Sequence, residues 1–322
     1  MRKIKLTSFV IVIVVAGFAV LSSCKKKTTS NPTPEDTATG TALDNTIAEQ
    51  VSADLETMGA LVVDYGTLAS FKLAQGSLLS PMSGSVSVSV PVSGSYTVTF
   101  TNYLGMDGHT RNGILVYSIY PVGSHYSNID MTLSVTTPTV YTVDNNTVTV
   151  NYKNIQNNGL IANGGNMQWT TNSSINITKA SANGGGTFNW VESNRIHVLL
   201  NTTGTITYNS VSYSAAYNST NNTINWNNTS SGNQNGAIMQ INGSSSGTST
   251  DGVTYNAATS NVIQNHNCLP DNTIRPHFHP FSAGTINFNP VGKTTRFINY
   301  GYGNCDLIYT ITIGGYMATY NW

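Results

Sequence analysis

Three histidines, His266, His277 and His279, form the side-chain set with the clearest capacity for chemistry. His277 and His279 would share one face of an extended segment. With His266 they would supply three imidazoles, leaving a fourth zinc position for water. Pro276 and Pro280 flank the pair, so the segment reads as an irregular loop. The plainer reading is loop histidines that are exposed or stacked on each other. Carboxylates are thinly supplied. Glycoside hydrolysis needs two of them within about 5–10 Å. Beyond residue 60 the chain holds only Asp64, Asp107, Asp130, Asp144, Glu192, Asp251, Asp271 and Asp306. Several stand in Asp-Gly or Asp-Asn pairs, where the side chain caps its own turn.

Two further patterns carry weaker chemistry. Gly243-Ser244-Ser245-Ser246-Gly247 has the spacing of a nucleophile elbow, which requires a strand running into a helix. Its flanks are β-like and Ser-rich, so a hairpin turn is the expectation. The four tryptophans each close a triplet: Met167-Gln168-Trp169, Phe188-Asn189-Trp190, Ile224-Asn225-Trp226 and Tyr320-Asn321-Trp322. In a strand the first residue and the Trp share a face while the amide points away. The plain reading buries these rings in the core. The sharper one makes Trp169, Trp190, Trp226 and Trp322 a row that stacks on sugar rings.

The elements that must position these residues are mostly strands. Val86, Val88, Val90 and Val92 alternate with serines, and Tyr96, Val98 and Phe100 continue the period of two. Ile129, Met131, Leu133 and Val135 repeat it, as do Val148, Val150 and Tyr152, Ile206 and Tyr208, and Tyr309, Ile311 and Ile313. Such alternation is that of half-buried antiparallel strands. Pro91 suggests an edge or a bulge. Asn-Gly at 112, 158, 163, 183, 235 and 242, with Asp107-Gly108 and Asp251-Gly252, reads as hairpin turns. One helix is expected over 43–62, where Leu43, Ile47, Val51, Leu55 and Met58 make an apolar stripe with Glu49, Asp54 and Glu56 between. The expected fold is all-β: an antiparallel meander of short hairpins over 63–322, forming a sandwich or a curved open sheet, in one sheet or two sub-sheets.

Only 9% of residues are charged while 39% are hydrophobic, so the composition suits a folded β-protein with neutral polar surfaces. There is no basic stripe, which argues against nucleic acid as a partner.

The N-terminal region sets an address. Arg2, Lys3 and Lys5 precede a thirteen-residue apolar run from Phe9 to Leu21. That run is too short to span a bilayer, which takes about 20 residues, and fits a secretory signal over 1–23. Leu21-Ser22-Ser23-Cys24 resembles the bacterial lipobox, which implies acylation of Cys24 and cleavage before it. Removing Arg2, Lys3 and Lys5 leaves 11 basic against 14 acidic residues, a net charge of −3. Two or more acyl chains would hold the protein stably on a membrane. Residues 24–42 read as the lipidated tether, with Lys25, Lys26 and Lys27 suited to anionic headgroups. Cys268 and Cys305, left over in an oxidising compartment, most simply pair; a metal-ligand role is the alternative.

A Cys followed by lysines is similar to many lipoproteins of the Bacteroidota. Tyr300-Gly301-Tyr302-Gly303-Asn304-Cys305-Asp306 resembles the Gly-x-Gly-x-Cys-Asp ending of a group of such lipoproteins of uncharacterised function. Arg111-Asn112-Gly113-Ile114 and Ser246-Gly247-Thr248-Ser249-Thr250-Asp251-Gly252-Val253 also look like segments of that group. The resemblance spans about residues 95 to 322 and implies an all-β fold and a Cys268–Cys305 pair, but no activity. Asn299 departs from it where an acidic residue is common. Asp36-Thr37-Ala38 resembles the O-glycosylation site of exported Bacteroidota proteins, which would modify Thr37.

These readings lead to a non-enzymatic lipoprotein of the cell envelope, anchored at the outer membrane, that binds a glycan or a protein and needs no cofactor. The alternative is an envelope hydrolase, with or without a metal, using the His266, His277 and His279 region.

Overall fold

The computed structural model describes residues 38–65, 81–89, 92–105, 107–160, 166–208, 211–220, 222–224, 236–268, 281–305 and 308–321. One long helix, α1 (Gly40–Tyr65), comes first. Eighteen strands follow: β1 (Pro81–Val88), β2 (Ser95–Gly105), β3 (Thr110–Tyr120), β4 (Thr132–Thr136), β5 (Tyr141–Val143), β6 (Asn146–Leu160), β7 (Met167–Thr178), β8 (Thr187–Leu199), β9 (Thr205–Tyr208), β10 (Val211–Ser214), β11 (Tyr217–Asn218), β12 (Thr223–Ile224), β13 (Ile238–Thr248), β14 (Thr254–Asn265), β15 (Phe281–Pro290), β16 (Arg296–Tyr302), β17 (Ile308–Ile313) and β18 (Tyr316–Asn321).

Fourteen of these strands form one sheet in the order β1-β2-β3-β4-β6-β7-β8-β13-β14-β15-β16-β17-β18, with β5 following β4 between β3 and β6. Neighbours are antiparallel throughout, so the sheet is a meander. Two small hairpins, β9–β10 and β11–β12, fill the β8–β13 connection.

Several strands carry register shifts, the mark of bulges, which bend a strand and add twist. Three share one construction. Asn102 in β2, Asn194 in β8 and Asn261 in β14 adopt left-handed backbone. Each donates its backbone N–H to the side-chain oxygen of an asparagine on a paired neighbouring strand: Asn112, Asn172 and Asn242 respectively. On β15, Gly284 (φ 93°) sits against the Asn261 bulge, where a Cβ would lie 2.2 Å from the Asn261 carbonyl oxygen.

Each bulge also changes which residues face inward. On β8, Phe188, Trp190 and Glu192 are buried before the bulge, and Arg195, His197 and Leu199 after it. On β6 a bulge between Val150 and Tyr152 turns Tyr152 outward and Lys153 inward. The expectation that Val148, Val150 and Tyr152 share one face is corrected accordingly. Ile129 also departs from its expected strand: it lies in the β3–β4 connection, exposed. Asn112-Gly113, Asn158-Gly159 and Asn242-Gly243, expected as hairpin turns, lie within β3, β6 and β13. Gly113, Gly159 and Gly243 take positive φ there, beside register shifts rather than chain reversals.

Helix α1 packs against this sheet and is longer than expected. It spans 26 residues, about 39 Å at 1.5 Å per residue. It takes in residues 40–42, read from the sequence as tether, and continues to Tyr65. Ala42, Ala48, Ala53, Leu55, Met58 and Ala60 favour helix and are buried. The expected single apolar stripe is not what faces the sheet. Asp44, Asn45, Glu49, Ser52 and Glu56 are buried as well, while Leu43 and Ile47 are only half-buried. Strands β3, β6, β8, β13 and β14 supply hydrogen-bond partners to the helix, so burial extends around most of it. Gly59 permits the closest approach: a Cβ there would sit 2.7 Å from Leu133 Cδ2 and 2.8 Å from Tyr117 Cε1.

A cavity beside the buried helix

The buried polar side of α1 meets charged residues that the bulges turn inward. Arg195 Nη1 donates to Glu49 Oε2 at 2.6 Å, and Arg195 Nη2 to Thr259 Oγ1 at 3.0 Å. Lys153 Nζ donates to Ser52 Oγ at 2.8 Å and to Glu192 Oε1 at 3.0 Å. His197 Nδ1 lies 3.0 Å from Glu56 Oε2, and the Tyr126 hydroxyl donates to Glu56 Oε1 at 2.6 Å. Burial would raise the Glu56 carboxyl, but His197, Lys153 and Tyr126 hold it down at about 2. Burial raises Glu49 despite its Arg195 partner. Such pairs are costly to desolvate and costlier to break singly. Here they fix how far α1 is inserted and how it is rotated, which sets the face it presents outward.

That outward face lines a cavity of about 390 Å³ at the N-terminal half of the helix. Leu43, Ile47 and Val51 of α1 form an apolar wall, continued by Val143 of β5 and Tyr309 of β17. Across from them stand polar residues from the turns of the sheet. His109 comes from the β2–β3 turn, Asp144 from the β5–β6 turn, Asn146 from the start of β6, and Lys179 and Asn183 from the β7–β8 connection. Gln50 and Asp54 of α1 complete the rim.

The charges at the rim are arranged in pairs. His109 Nδ1 is 2.6 Å from Asp144 Oδ2, and Asp144 Oδ1 accepts the Thr110 N–H at 2.9 Å. Burial would lower the His109 imidazolium, but Asp144 and then Asp107 raise it to about 9. Burial likewise would raise Asp144, and His109 draws it down to about 2. Arg111 Nη2 bridges Asp54 Oδ1 at 2.5 Å and Asp107 Oδ2 at 2.6 Å. Lys179 Nζ donates to Asp44 Oδ1 at 2.6 Å. Asn146 Oδ1 accepts the Ala180 N–H and the Asn183 amide, both at 3.1 Å.

Those of the residues singled out from the sequence that are described lie elsewhere. His266 is fully buried, its Nε2 2.9 Å from Gln264 Nε2, and burial pushes it down to about 3. It is therefore a neutral core histidine. His277 and His279 lie outside the described residues, as do Cys24, Thr37, Trp226 and Trp322. Among the described residues no cluster of three or more His, Cys, Asp or Glu side chains is placed to hold a metal. Trp169 and Trp190 are fully buried, so neither offers a face to a glycan. The Trp169 indole stacks on Tyr126 at 5.2 Å and donates to the Tyr126 carbonyl at 3.2 Å. The Trp190 indole donates to Asn45 Oδ1 at 3.1 Å, with the Arg195 guanidinium 5.6 Å from its ring centroid. Their inward position follows strand alternation in β7 and β8. Ser245 is buried within β13, on extended strand rather than at an elbow. Cys268 and Cys305 form a disulfide.

The cavity residues His109, Asp144, Asn146, Lys179 and Asn183 were not singled out as a set. They are scattered over more than 70 positions of sequence in or beside turns, and the pairing of β3 with β5, β5 with β6 and β6 with β7 brings those turns together beside α1. No known family model matches the chain, and comparison with curated proteins and with solved structures gives no match either.

Proposed function

We propose that this protein is a lipid-anchored, non-enzymatic binding protein of the cell envelope, held at the outer membrane through acylated Cys24, and that the cavity beside α1 is its ligand site. The cavity carries the reading. It falls within the roughly 300–1,000 Å³ typical of small-molecule sites and combines an apolar wall with convergent polar groups. His109 keeps its proton through neutral pH, which suits it to donating a hydrogen bond rather than serving as a general base. The lipobox-like Leu21-Ser22-Ser23-Cys24 and the lysines after it support the anchor. Gly40 lines the cavity, so the tether joins the β-body at this site. Sixteen residues separate Cys24 from Gly40, which places the cavity no more than roughly 55 Å of extended chain from the bilayer.

The reading is tested by following the melting temperature of the full chain against a panel of envelope glycans, peptides and small metabolites. A ligand that raises the melting temperature of the wild type but not of Ile47→Trp, whose larger side chain fills the apolar wall, is the expected result. A ligand that stabilises both equally binds elsewhere and contradicts the assignment.

A further inference from the structure

We infer that β18 is a docking edge for a second copy of this chain: two β18 strands pair antiparallel about a twofold axis and join two sheets.

The place of β18 in the sheet leaves one of its sides open. Among the described residues it pairs with β17 alone. Gly314-Gly315 makes a two-residue hairpin, so its closing residues, Ile313 and Tyr316, form a hydrogen-bonded pair. Alternation then points the N–H and C=O of Met317 and Thr319 away from β17. Such an edge is ordinarily blunted by a charge, a proline or a bulge. The opposite edge of the sheet is blunted: β1 begins at Pro81, holds Gly84 at φ 71°, and shifts register twice. β18 has none of these devices. Its register with β17 is unbroken, and Tyr316-Met317-Ala318-Thr319-Tyr320-Asn321 contains no charge and no proline.

Charge favours a second copy over an unrelated strand. Arg296 is the only charged residue in β16, β17 and β18, and it is fully buried. Two identical edges therefore meet without the like-charge repulsion that would part them. The strand is also self-complementary. With the axis at Ala318, Met317 pairs with Thr319 of the second copy, and Tyr316 with Tyr320 of the second copy. Tyr316 is 47% exposed and Met317 63%. Tyr320 already stacks on Tyr309 at 5.3 Å, and Tyr316 of the second copy extends that stack. The tether enters at the same place. Arg296 Nη2 donates to the Ala38 carbonyl at 2.9 Å, and the Thr39 and Tyr320 hydroxyls hydrogen-bond each other. In the pair, the two Tyr320 residues stand four positions apart along the strands, about 14 Å. Both tethers thus begin close together and reach one bilayer, which raises the effective concentration of one copy for the other. This offsets the small interface that one short strand supplies. Only the tether contribution rests on the lipid-anchor reading; the strand pairing does not.

The test is sedimentation velocity of the full chain in detergent, with crosslinking in intact cells. The wild type should sediment as two copies per particle. Thr319→Lys sets like charges beside the axis, and Thr319→Pro removes an N–H that β17 does not use. Each should raise the Kd of self-association at least about tenfold while keeping the circular dichroism of the wild type. Ala318→Cys would lie on the axis in a non-hydrogen-bonded pair, with Cα atoms about 4.5 Å apart. It should crosslink to a second copy on mild oxidation, and adding Thr319→Lys should abolish the crosslink. A wild type that sediments as one copy, or association that Thr319→Lys leaves unchanged, overturns the docking edge. Association lost in Cys24→Ala but kept in Thr319→Lys assigns the contact to the lipid anchor and overturns it too. An Ala318→Cys crosslink to a different protein keeps the edge and overturns the second copy as its occupant.

Discussion

His109 Nδ1 lies 2.6 Å from Asp144 Oδ2, tying the β2–β3 turn to the β5–β6 turn at the rim of the cavity. The groups around the imidazole are Asp144, Asp107 and Arg111 from the sheet and Gln50 from α1. The folded His109 titrates at about 9 against a usual 6.5, so its contribution to stability is complete below 6.5 and is lost as pH rises through 9. Asp144 works in the opposite direction: its contribution is complete above 3.8 and is lost as pH falls toward 2. Stability from this pair is therefore greatest between those limits. The wild type should lose melting temperature between pH 7 and 9.5 by a margin that His109→Asn does not show. Parallel curves for the two proteins would contradict the ion pair.

Gly59 sits inside a long helix, where alanine would ordinarily favour folding by about 1 kcal/mol. Here the added methyl group would press on Leu133 and Tyr117 at under 3 Å. Overpacking of this kind costs about 1–3 kcal/mol. Gly59→Ala is thus expected to lower the denaturant midpoint. A higher midpoint would mean that α1 does not approach the sheet this closely.

Cys268 and Cys305 close a loop of sequence separation 37. In the chain-entropy picture such a crosslink stabilises the fold by about 4 kcal/mol. The Cys268→Ser/Cys305→Ser double variant, or the reduced wild type, should unfold at correspondingly lower denaturant. An unshifted midpoint on reduction would show that the crosslink does not constrain the unfolded chain.

Acylation at Cys24 predicts that a palmitate analogue labels the wild type in cells and that Cys24→Ala moves from the membrane fraction to the soluble fraction. An unlabelled wild type, or a variant that stays with the membrane, would contradict the anchor.

Much of the architecture was legible because local rules held within each strand. Alternation placed Val98 and Phe100 of β2 and Leu133 and Val135 of β4 inward, and the residues from Tyr309 to Ile313 gave β17. The reading broke down where backbone geometry reversed the alternation. The bulge at Asn194 carries Arg195 and His197 into the interior, and the one beside Tyr152 does so for Lys153. Asn-Gly pairs announce positive φ equally in a turn and in a bulge, so Asn112-Gly113 and Asn242-Gly243 were indistinguishable from hairpin tips. The helix was visible in its stripe, but the burial of its Glu49 and Glu56 was not, because their partners Arg195, His197 and Lys153 come from strands far along the chain. The cavity was illegible for the same reason: its rim is assembled from separate turns around α1.

Hydrogen exchange of the full chain, with and without a saturating amount of a panel compound that raises its melting temperature, tests most directly whether this cavity is the ligand site. Slower exchange in peptides covering residues 40–54 and the β5–β6 turn around Asp144, absent in Ile47→Trp, is the predicted result. Protection confined to other parts of the sheet, or identical protection in Ile47→Trp, would contradict it.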